Sequence, residues 1–156
     1  MIIVADTSAV LAAFDEGQPQ HDAAAHIMET ETLLLSPLVL TELDHLARRE
    51  NGFPFAIEVS EALLARLERG MYQIAAIRYE DLETAHRLRL DYAGLELDLA
   101  DTVGVALAGR YGTNRIFTLD QRDFRALKPL SAGFDAFEIL PFDWDAGDHA
   151  PRTRSR

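Results

Sequence analysis

Short apolar runs alternate along the chain with longer stretches in which apolar residues recur at helical spacing. The runs predict buried strands at residues 2–5, 33–35, 72–75, 115–119 and 137–140. The longer stretches predict helices at residues 8–15, 21–29, 38–50, 54–68, 79–92, 99–111 and 121–126. Strands that alternate with helices indicate an α/β fold, in which a parallel sheet is covered by helices on both faces.

Turn and capping residues separate these predicted elements. Ser36 and Pro37 suit the cap and first position of a helix, and Gly52 and Gly112 end helical stretches. The stretch at residues 99–111 is apolar on nearly every side, which predicts a deeply placed helix. No linker or repeat interrupts the pattern, so we expect one domain over residues 1–145 and a polar, flexible tail at residues 146–156.

The composition fits a globular domain of the reducing cytoplasm. The chain has 156 residues, 48% of them hydrophobic, which is enough for one core. It has no cysteine, which excludes disulfides, thiolate zinc sites and a cysteine nucleophile. We see no signal-like start and no apolar run of the ~20 residues that a membrane span needs. We therefore expect a soluble, cytoplasmic protein without membrane association.

Four acidic residues stand where such a fold would bring them together. Asp6 follows the first predicted strand and Asp120 the fourth, while Glu42 and Asp101 lie in the first turns of predicted helices. The carboxyl ends of neighbouring parallel strands open into one crevice. Converging carboxylates repel one another unless a cation joins them, and oxygen ligands suit Mg²⁺ or Mn²⁺. The pattern therefore predicts a divalent-cation site, and such a cation is suited to catalyse phosphate chemistry.

Each acid taken alone also fits an ordinary role as a helix cap or as a first-turn partner of the helix dipole. Asp101 is the hardest to explain in that way, because a carboxylate on an apolar helix is partly buried and costs several kcal/mol without a partner. Asp98 shares its helix face, and we favour Asp101 as the metal ligand and Asp98 as a cap or supporting residue. For Asp123 we favour capping over metal binding.

The charge of the chain argues against broad, nonspecific nucleic-acid binding. The formal net charge is −11, and Lys128 is the only lysine. Arginines stand near Asp120 (Arg110, Arg115, Arg122 and Arg125) and beyond Glu42 (Arg48 and Arg49). Most of them read as solvated surface charge, with phosphate or partner-protein contacts left open.

Four stretches, in order and with their spacing, resemble the PIN-domain ribonucleases and, more narrowly, the VapC-type toxins of bacterial toxin–antitoxin pairs. They are residues 4–9, 36–43, 99–108 and 116–124, and the resemblance spans residues 1–140. It implies a five-stranded parallel sheet of order 3-2-1-4-5 with helices on both sides. It also implies cleavage of RNA that depends on Mg²⁺ or Mn²⁺.

The resemblance also assigns roles to residues and implies partners. It makes Asp6, Glu42, Asp101 and Asp120 the catalytic acids, with Asp6 and Asp101 as direct metal ligands. Thr118 matches a serine or threonine that orients these acids. A cognate antitoxin that blocks the acidic groove is implied, as is a homodimer.

Two other functions remain open at this stage. An aspartate-nucleophile phosphatase would share the strand that precedes Asp6, but it would need a second aspartate where Ser8 stands and a suitably placed lysine. A non-catalytic module would use the acids only to bind a metal or a basic peptide. The presence of all four acids argues against the non-catalytic module.

Overall fold

The computed structural model describes residues 1–144, so the predicted tail at residues 146–156 lies outside the described residues. The elements in chain order are β1 (Ile3–Ala5), α1 (Thr7–Phe14), α2 (His21–Thr30), β2 (Leu33–Leu35), α3 (Pro37–Asn51), α4 (Phe53–Glu68), β3 (Tyr72–Ile74), α5 (Tyr79–Asp91), a 3-10 turn (Ala93–Leu95), α6 (Leu99–Arg110), β4 (Arg115–Phe117), α7 (Gln121–Ala126) and β5 (Glu138–Leu140). The alternation predicted from the sequence is confirmed, with boundaries that shift by one or two residues.

The five strands form one parallel sheet in the order β3-β2-β1-β4-β5. The central strand β1 pairs on one side with β2 and on the other with β4, so that Val4 stands opposite both Leu34 and Ile116. The implied order 3-2-1-4-5 is thus confirmed. β1 and β4 are neighbours, and the residues that follow them open at the same edge of the sheet.

The core has two parts because successive strand residues point to opposite faces of the sheet. On β1, Ile3 and Ala5 pack into one apolar cluster and Val4 into the other. Helices α1 to α4 cover the first face, and α5 to α7 cover the second. This is the double layer of helices that the pattern predicts.

Two helices carry acids of interest and begin at the carboxyl edge. Helix α3 starts as predicted, with Pro37 at its first position and Ser36 Oγ accepting a hydrogen bond from the Leu38 N–H at 3.2 Å. Helix α6 is buried along most of its length, but Leu99 at its start is 42% exposed. Within residues 1–144, no helix has the length and apolar character of a membrane span.

Candidate active site

Asp6 and Asp120 lie together at the carboxyl edge of the central strands. The N–H of Asp6 donates to the carbonyl of Phe117, the last residue of β4, at 2.8 Å, so β1 stays paired with β4 up to the acid. Asp120 follows β4 and is the N-cap of α7. Its side-chain oxygen Oδ1 accepts a hydrogen bond from the Asp123 N–H at 3.1 Å.

Glu42 reaches the same edge from helix α3. Its Oε2 accepts a hydrogen bond from the hydroxyl of Thr7 at 3.0 Å, and Thr7 is the residue directly after Asp6. Thr7 is buried, with 2% of its surface exposed. This contact joins the end of β1 to the second turn of α3 and holds the Glu42 carboxylate near the first strand.

Asp101 is the electrostatic centre of the group. Burial, followed by the negative charges of Asp6, Asp98, Asp120 and Glu42 in that order, raises the pKa of Asp101 from its usual 3.8 to about 8. A carboxyl group with this pKa keeps its proton at neutral pH unless a cation compensates the charge. The four acids predicted from the sequence are therefore close enough to act on one another.

A compact group of carboxylates forms around Asp101. One carboxylate oxygen each from Asp101, Asp120 and Asp123 lies within 4.8 Å of the others, and all three side chains are partly buried. Burial, followed by the charge of Asp120, raises the pKa of Asp123, although Arg122 lies 3.8 Å from its carboxylate and acts in the opposite direction. We call these three residues, together with Asp6, Glu42 and Asp98, the acidic site.

The structure changes the interpretation of Asp123. We favoured capping for this residue, but the helix cap is supplied by the Asp120 side chain, which accepts from the Asp123 main chain. The Asp123 carboxylate instead lies in the compact group with Asp101 and Asp120. Its position three residues after an N-cap directs it back toward the helix start, which is the feature of the sequence that could have revealed it.

Asp98 has the role that we favoured from the sequence. It is the N-cap of α6, and its Oδ1 accepts a hydrogen bond from the Asp101 N–H at 2.8 Å. The same Asp98 carboxylate also adds negative charge beside Asp101. Asp98 thus supports the helix that carries Asp101 and raises the pKa of that carboxyl group.

Two hydroxyl groups hold the Asp6 carboxylate in one orientation. Its Oδ2 accepts hydrogen bonds from Thr118 Oγ1 at 2.7 Å and from Ser8 Oγ at 2.8 Å. Thr118 Oγ1 also accepts from the Asp120 N–H at 3.0 Å, and Ser8 Oγ accepts from the Leu119 N–H at 2.9 Å. Thr118 has no exposed surface, so this one residue links Asp6 to the loop that carries Asp120.

Thr7 and Ser8 were missed as members of the site. Both residues follow Asp6, which is the N-cap of α1 and makes no side-chain capping hydrogen bond. Thr7 orients Glu42, and Ser8 orients Asp6. Thr7 and Glu42 are 35 residues apart in sequence, and the contact between Ser8 and Asp6 depends on the conformation of the turn between them. Sequence spacing alone therefore does not indicate either contact.

Most arginines near Asp120 in sequence are engaged in ion pairs away from the carboxylates. Arg110 binds Asp81 at 3.0 Å, Arg115 binds Glu31 and Glu138 at 3.2 and 3.1 Å, and Arg125 binds Asp143 at 2.6 Å. Arg122 is the exception within the cluster of arginines, since its side chain is 80% exposed beside Asp123. Arg115 is buried in its pairs, whereas Arg110 and Arg125 are partly exposed. From the sequence, most of these arginines read as solvated surface charge, so the ion pairs were not predicted.

The donor set of the acidic site fits a hard divalent cation. Its ligand atoms are carboxylate oxygens, which Mg²⁺ and Mn²⁺ prefer over nitrogen and sulfur. The raised pKa of Asp101 is a second observation in favour, because it records negative charge that the described protein groups leave uncompensated. The arrangement is suited to polarise a phosphate and to activate water.

Comparison with known proteins places this geometry in a family. The model of the PIN domain matches residues 3–130. Ribonuclease VapC26 of Mycobacterium tuberculosis (strain ATCC 25618 / H37Rv) is 35% identical over 141 residues, which cover 89% of this chain and 100% of that protein.

Solved structures share the fold. VapC20 of M. tuberculosis, a toxin that cleaves the sarcin-ricin loop, superposes with a TM-score of 0.68 at 19% identity, over 78% of this chain and 92% of its own. VapBC2 of Rickettsia felis, bound to promoter DNA, superposes with a TM-score of 0.62 at 18% identity, over 93% of this chain and 100% of its own. A toxin–antitoxin complex from Klebsiella pneumoniae superposes with a TM-score of 0.55 at 18% identity, over 83% of this chain and 98% of its own.

Proposed function

Because this chain belongs to the PIN-domain family, and within it to the VapC group, we propose that it is a metal-dependent endoribonuclease, the toxin of a toxin–antitoxin pair. The observation that carries the proposal is the convergence on Asp101. Burial and four neighbouring acids raise its pKa to about 8, in a crevice at the carboxyl edge of the sheet. A charge-dense site of this kind is suited to bind a cation and a phosphodiester together.

We propose Mg²⁺ or Mn²⁺ as the cation. Asp6 and Asp101 are the direct ligands that the resemblance implies, and Asp123, whose carboxylate oxygen lies within 4.8 Å of those of Asp101 and Asp120, is supported as a further ligand. When bound, the cation supplies Lewis-acid stabilisation of the phosphate charge and a lowered pKa for the attacking water. Asp101 would have to release its proton to hold the cation, so binding should strengthen as the pH rises toward 8.

The remaining residues orient the reacting groups. Thr118 and Ser8 hold Asp6 through one carboxylate oxygen, and Thr7 holds Glu42. Glu42 and Asp120 are the candidate acids that position or deprotonate the attacking water. The Thr118 hydroxyl donates its single proton to Asp6 and accepts a hydrogen bond from the Asp120 main chain, so the orientation of both acids depends on it.

Cleavage of RNA tests the proposal directly. We expect the purified chain to cleave a structured RNA in Mn²⁺ and to stop when EDTA is added. The Asp6→Asn and Asp101→Asn variants should lose cleavage while they keep the fold, and Asp22→Asn, a change of an exposed acid on α2, should leave it intact. Full cleavage by either site variant at matched metal content would contradict the assignment.

The same proposal includes partners. An antitoxin is supported by the structural relationship to toxin–antitoxin complexes. We propose that it inserts a basic side chain into the acidic site, where an arginine would meet several carboxylates. A homodimer is supported by exposed apolar side chains on α5, where Leu82 is 42% and Leu90 is 64% exposed. Light scattering of the purified chain measures this association.

The two alternatives explain less. A phosphatase of the aspartate-nucleophile class would need a second aspartate at the position of Ser8, whose hydroxyl is instead hydrogen-bonded to Asp6. A purely structural metal or peptide site would give no reason for 35% identity to a ribonuclease over all of that protein's length.

A further inference from the structure

Two open grooves adjoin each other along helix α3. The first, of about 470 Å³, is lined by Leu38, Thr41, Glu42, His45, Leu99 and Ala100, and it includes Glu42 of the acidic site. The second, of about 380 Å³, is lined by His45, Arg48, Arg49 and Phe53. His45 borders both grooves, so the second groove lies beside the first, between the acidic site and the start of α4.

The residues along these grooves share one side of the helix. Glu42, His45 and Arg49 are spaced three and seven residues apart, which puts them on one face of α3. Seven residues of helix span about 10 Å, so Arg49 lies about 10 Å along the helix axis from Glu42. Phe53 follows at the first position of α4, and its surface is 62% exposed. The guanidinium of Arg48 lies 6.0 Å from the centre of the Phe53 ring.

Arg48 and Arg49 differ from the arginines that brace the fold. Their partners are Asp44 at 4.0 Å and Glu50 at 3.2 Å, and both arginine side chains are about 60% exposed. Exposed pairs of this kind contribute little to stability and exchange readily with another anion. By contrast, the side chain of Arg115 is only 6% exposed between two glutamates. Arg48 and Arg49 can therefore turn to a phosphate without loss of the fold.

We propose that His45, Arg48, Arg49 and Phe53 form an RNA subsite that holds the strand on one side of the scissile bond. The guanidinium groups bind phosphates, and the exposed Phe53 ring stacks under a base. The inference rests on the proposed ribonuclease function and assigns its substrate contacts. The need for such a subsite follows from charge, because a chain of net charge −11 with an acidic reaction centre repels a polyanion.

The test compares two substrates with the full chain in Mn²⁺. One is a single-stranded RNA oligonucleotide, and the other is bis(p-nitrophenyl) phosphate, a diester too small to reach beyond the acidic site. The variants are the double substitution Arg48→Ala with Arg49→Ala, and the single substitution Phe53→Ala. Arg69→Ala and Leu64→Ala are matched controls, since Arg69 is exposed at the far end of α4 and Leu64 is 61% exposed on α4.

The double arginine variant should raise KM for RNA about tenfold and leave kcat nearly unchanged. The dependence of log kcat/KM on log salt should become less steep by about 0.7 for each arginine removed. Phe53→Ala should raise KM by about tenfold without a change of that slope, since stacking on a base is weakly salt-dependent. Hydrolysis of the small diester should be unchanged in all variants, and both controls should resemble the wild type on both substrates.

If these variants cleave RNA with the KM and the salt slope of the wild type, the proposed subsite is wrong. This would remain so if the same substitutions weakened binding of a protein partner. An equal loss on both substrates would overturn it too, because a contact distant from the bond cannot act on the small diester. Failure of the wild type to cleave either substrate would instead refute the nuclease proposal. The two proposals therefore fail in distinguishable ways.

Discussion

The Asp101→Asn variant is expected to be more stable than the wild type when no divalent cation is present. In the fold, burial and the neighbouring acids raise the pKa of Asp101 from 3.8 to about 8. The stability contribution of such a group is fully present below 3.8 and is lost as the pH rises through the interval up to 8. Asparagine has nearly the same shape and carries no charge, so it avoids this loss.

The size of the effect follows from the interval between the two pKa values. At pH 7 the unfolded chain has released this proton and the folded chain still holds it, over an interval of about 3 pH units. Each unit corresponds to about 1.4 kcal/mol, so the free energy of unfolding should increase by up to about 4 kcal/mol at pH 7. At pH 5 the interval is about 1 unit, and the gain should fall below about 2 kcal/mol.

Urea unfolding followed by circular dichroism in EDTA, at pH 7 and at pH 5, measures both values. Asp22→Asn is the control, because this exposed acid in the first turn of α2 should show no comparable gain. Addition of Mn²⁺ should stabilise the wild type and close the gap, because the cation binds only the folded state. The variant should respond weakly to the metal and should not cleave RNA.

Equal stability of the Asp101→Asn variant and the wild type at pH 7 in EDTA would refute this reasoning. So would a gain of the same size at pH 5 and pH 7, since a charge effect must shrink as the unfolded chain regains its proton. Either result would mean that Asp101 ionises without hindrance, and the acidic site would not carry the uncompensated charge on which its affinity for a cation depends.

Two further substitutions separate the support of the site from the support of the fold. Thr118→Val removes the hydroxyl that binds Asp6 and the Asp120 main chain. It should lower the free energy of unfolding in urea by about 1–3 kcal/mol and lower the cleavage rate at least tenfold. A wild-type cleavage rate at matched metal content would exclude this positioning role. Arg115→Ala leaves Glu31 and Glu138 without their guanidinium and should cost about 3–5 kcal/mol, whereas kcat measured well below the melting temperature should stay unchanged. A loss of kcat there would show that Arg115 also supports the site.

Local sequence patterns were sufficient to predict the elements of this fold. Runs such as Leu33–Leu35 are too short and too apolar for surface helices, and their burial on both sides of the sheet explains why they lack polar alternation. Ser36 and Pro37 marked the start of α3 because capping chemistry is local. The edge at which Asp6 and Asp120 meet also follows from the chain alone, since carboxyl ends of parallel strands converge.

The contacts that complete the site were decided by the tertiary structure. Thr7 holds Glu42 across 35 positions of sequence, and Ser8 and Thr118 meet at Asp6 across 110 and more. Short polar residues after a strand fit helix capping equally well, and only the packing of α3 and β4 against β1 turns them toward these acids. The same holds for Arg110, Arg115 and Arg125, whose partners lie 18 or more residues away in sequence.

The sequence by itself therefore determined which residues carry the charge and at which edge of the sheet they gather, because strand periodicity and chain direction are local properties. The fold decided how deeply those charges are buried and how close to one another they lie. Burial and charge act over space rather than along the chain, so the pKa of Asp101, the place of Asp123 beside it and the exposure of Arg48 and Arg49 arise only when distant segments pack together.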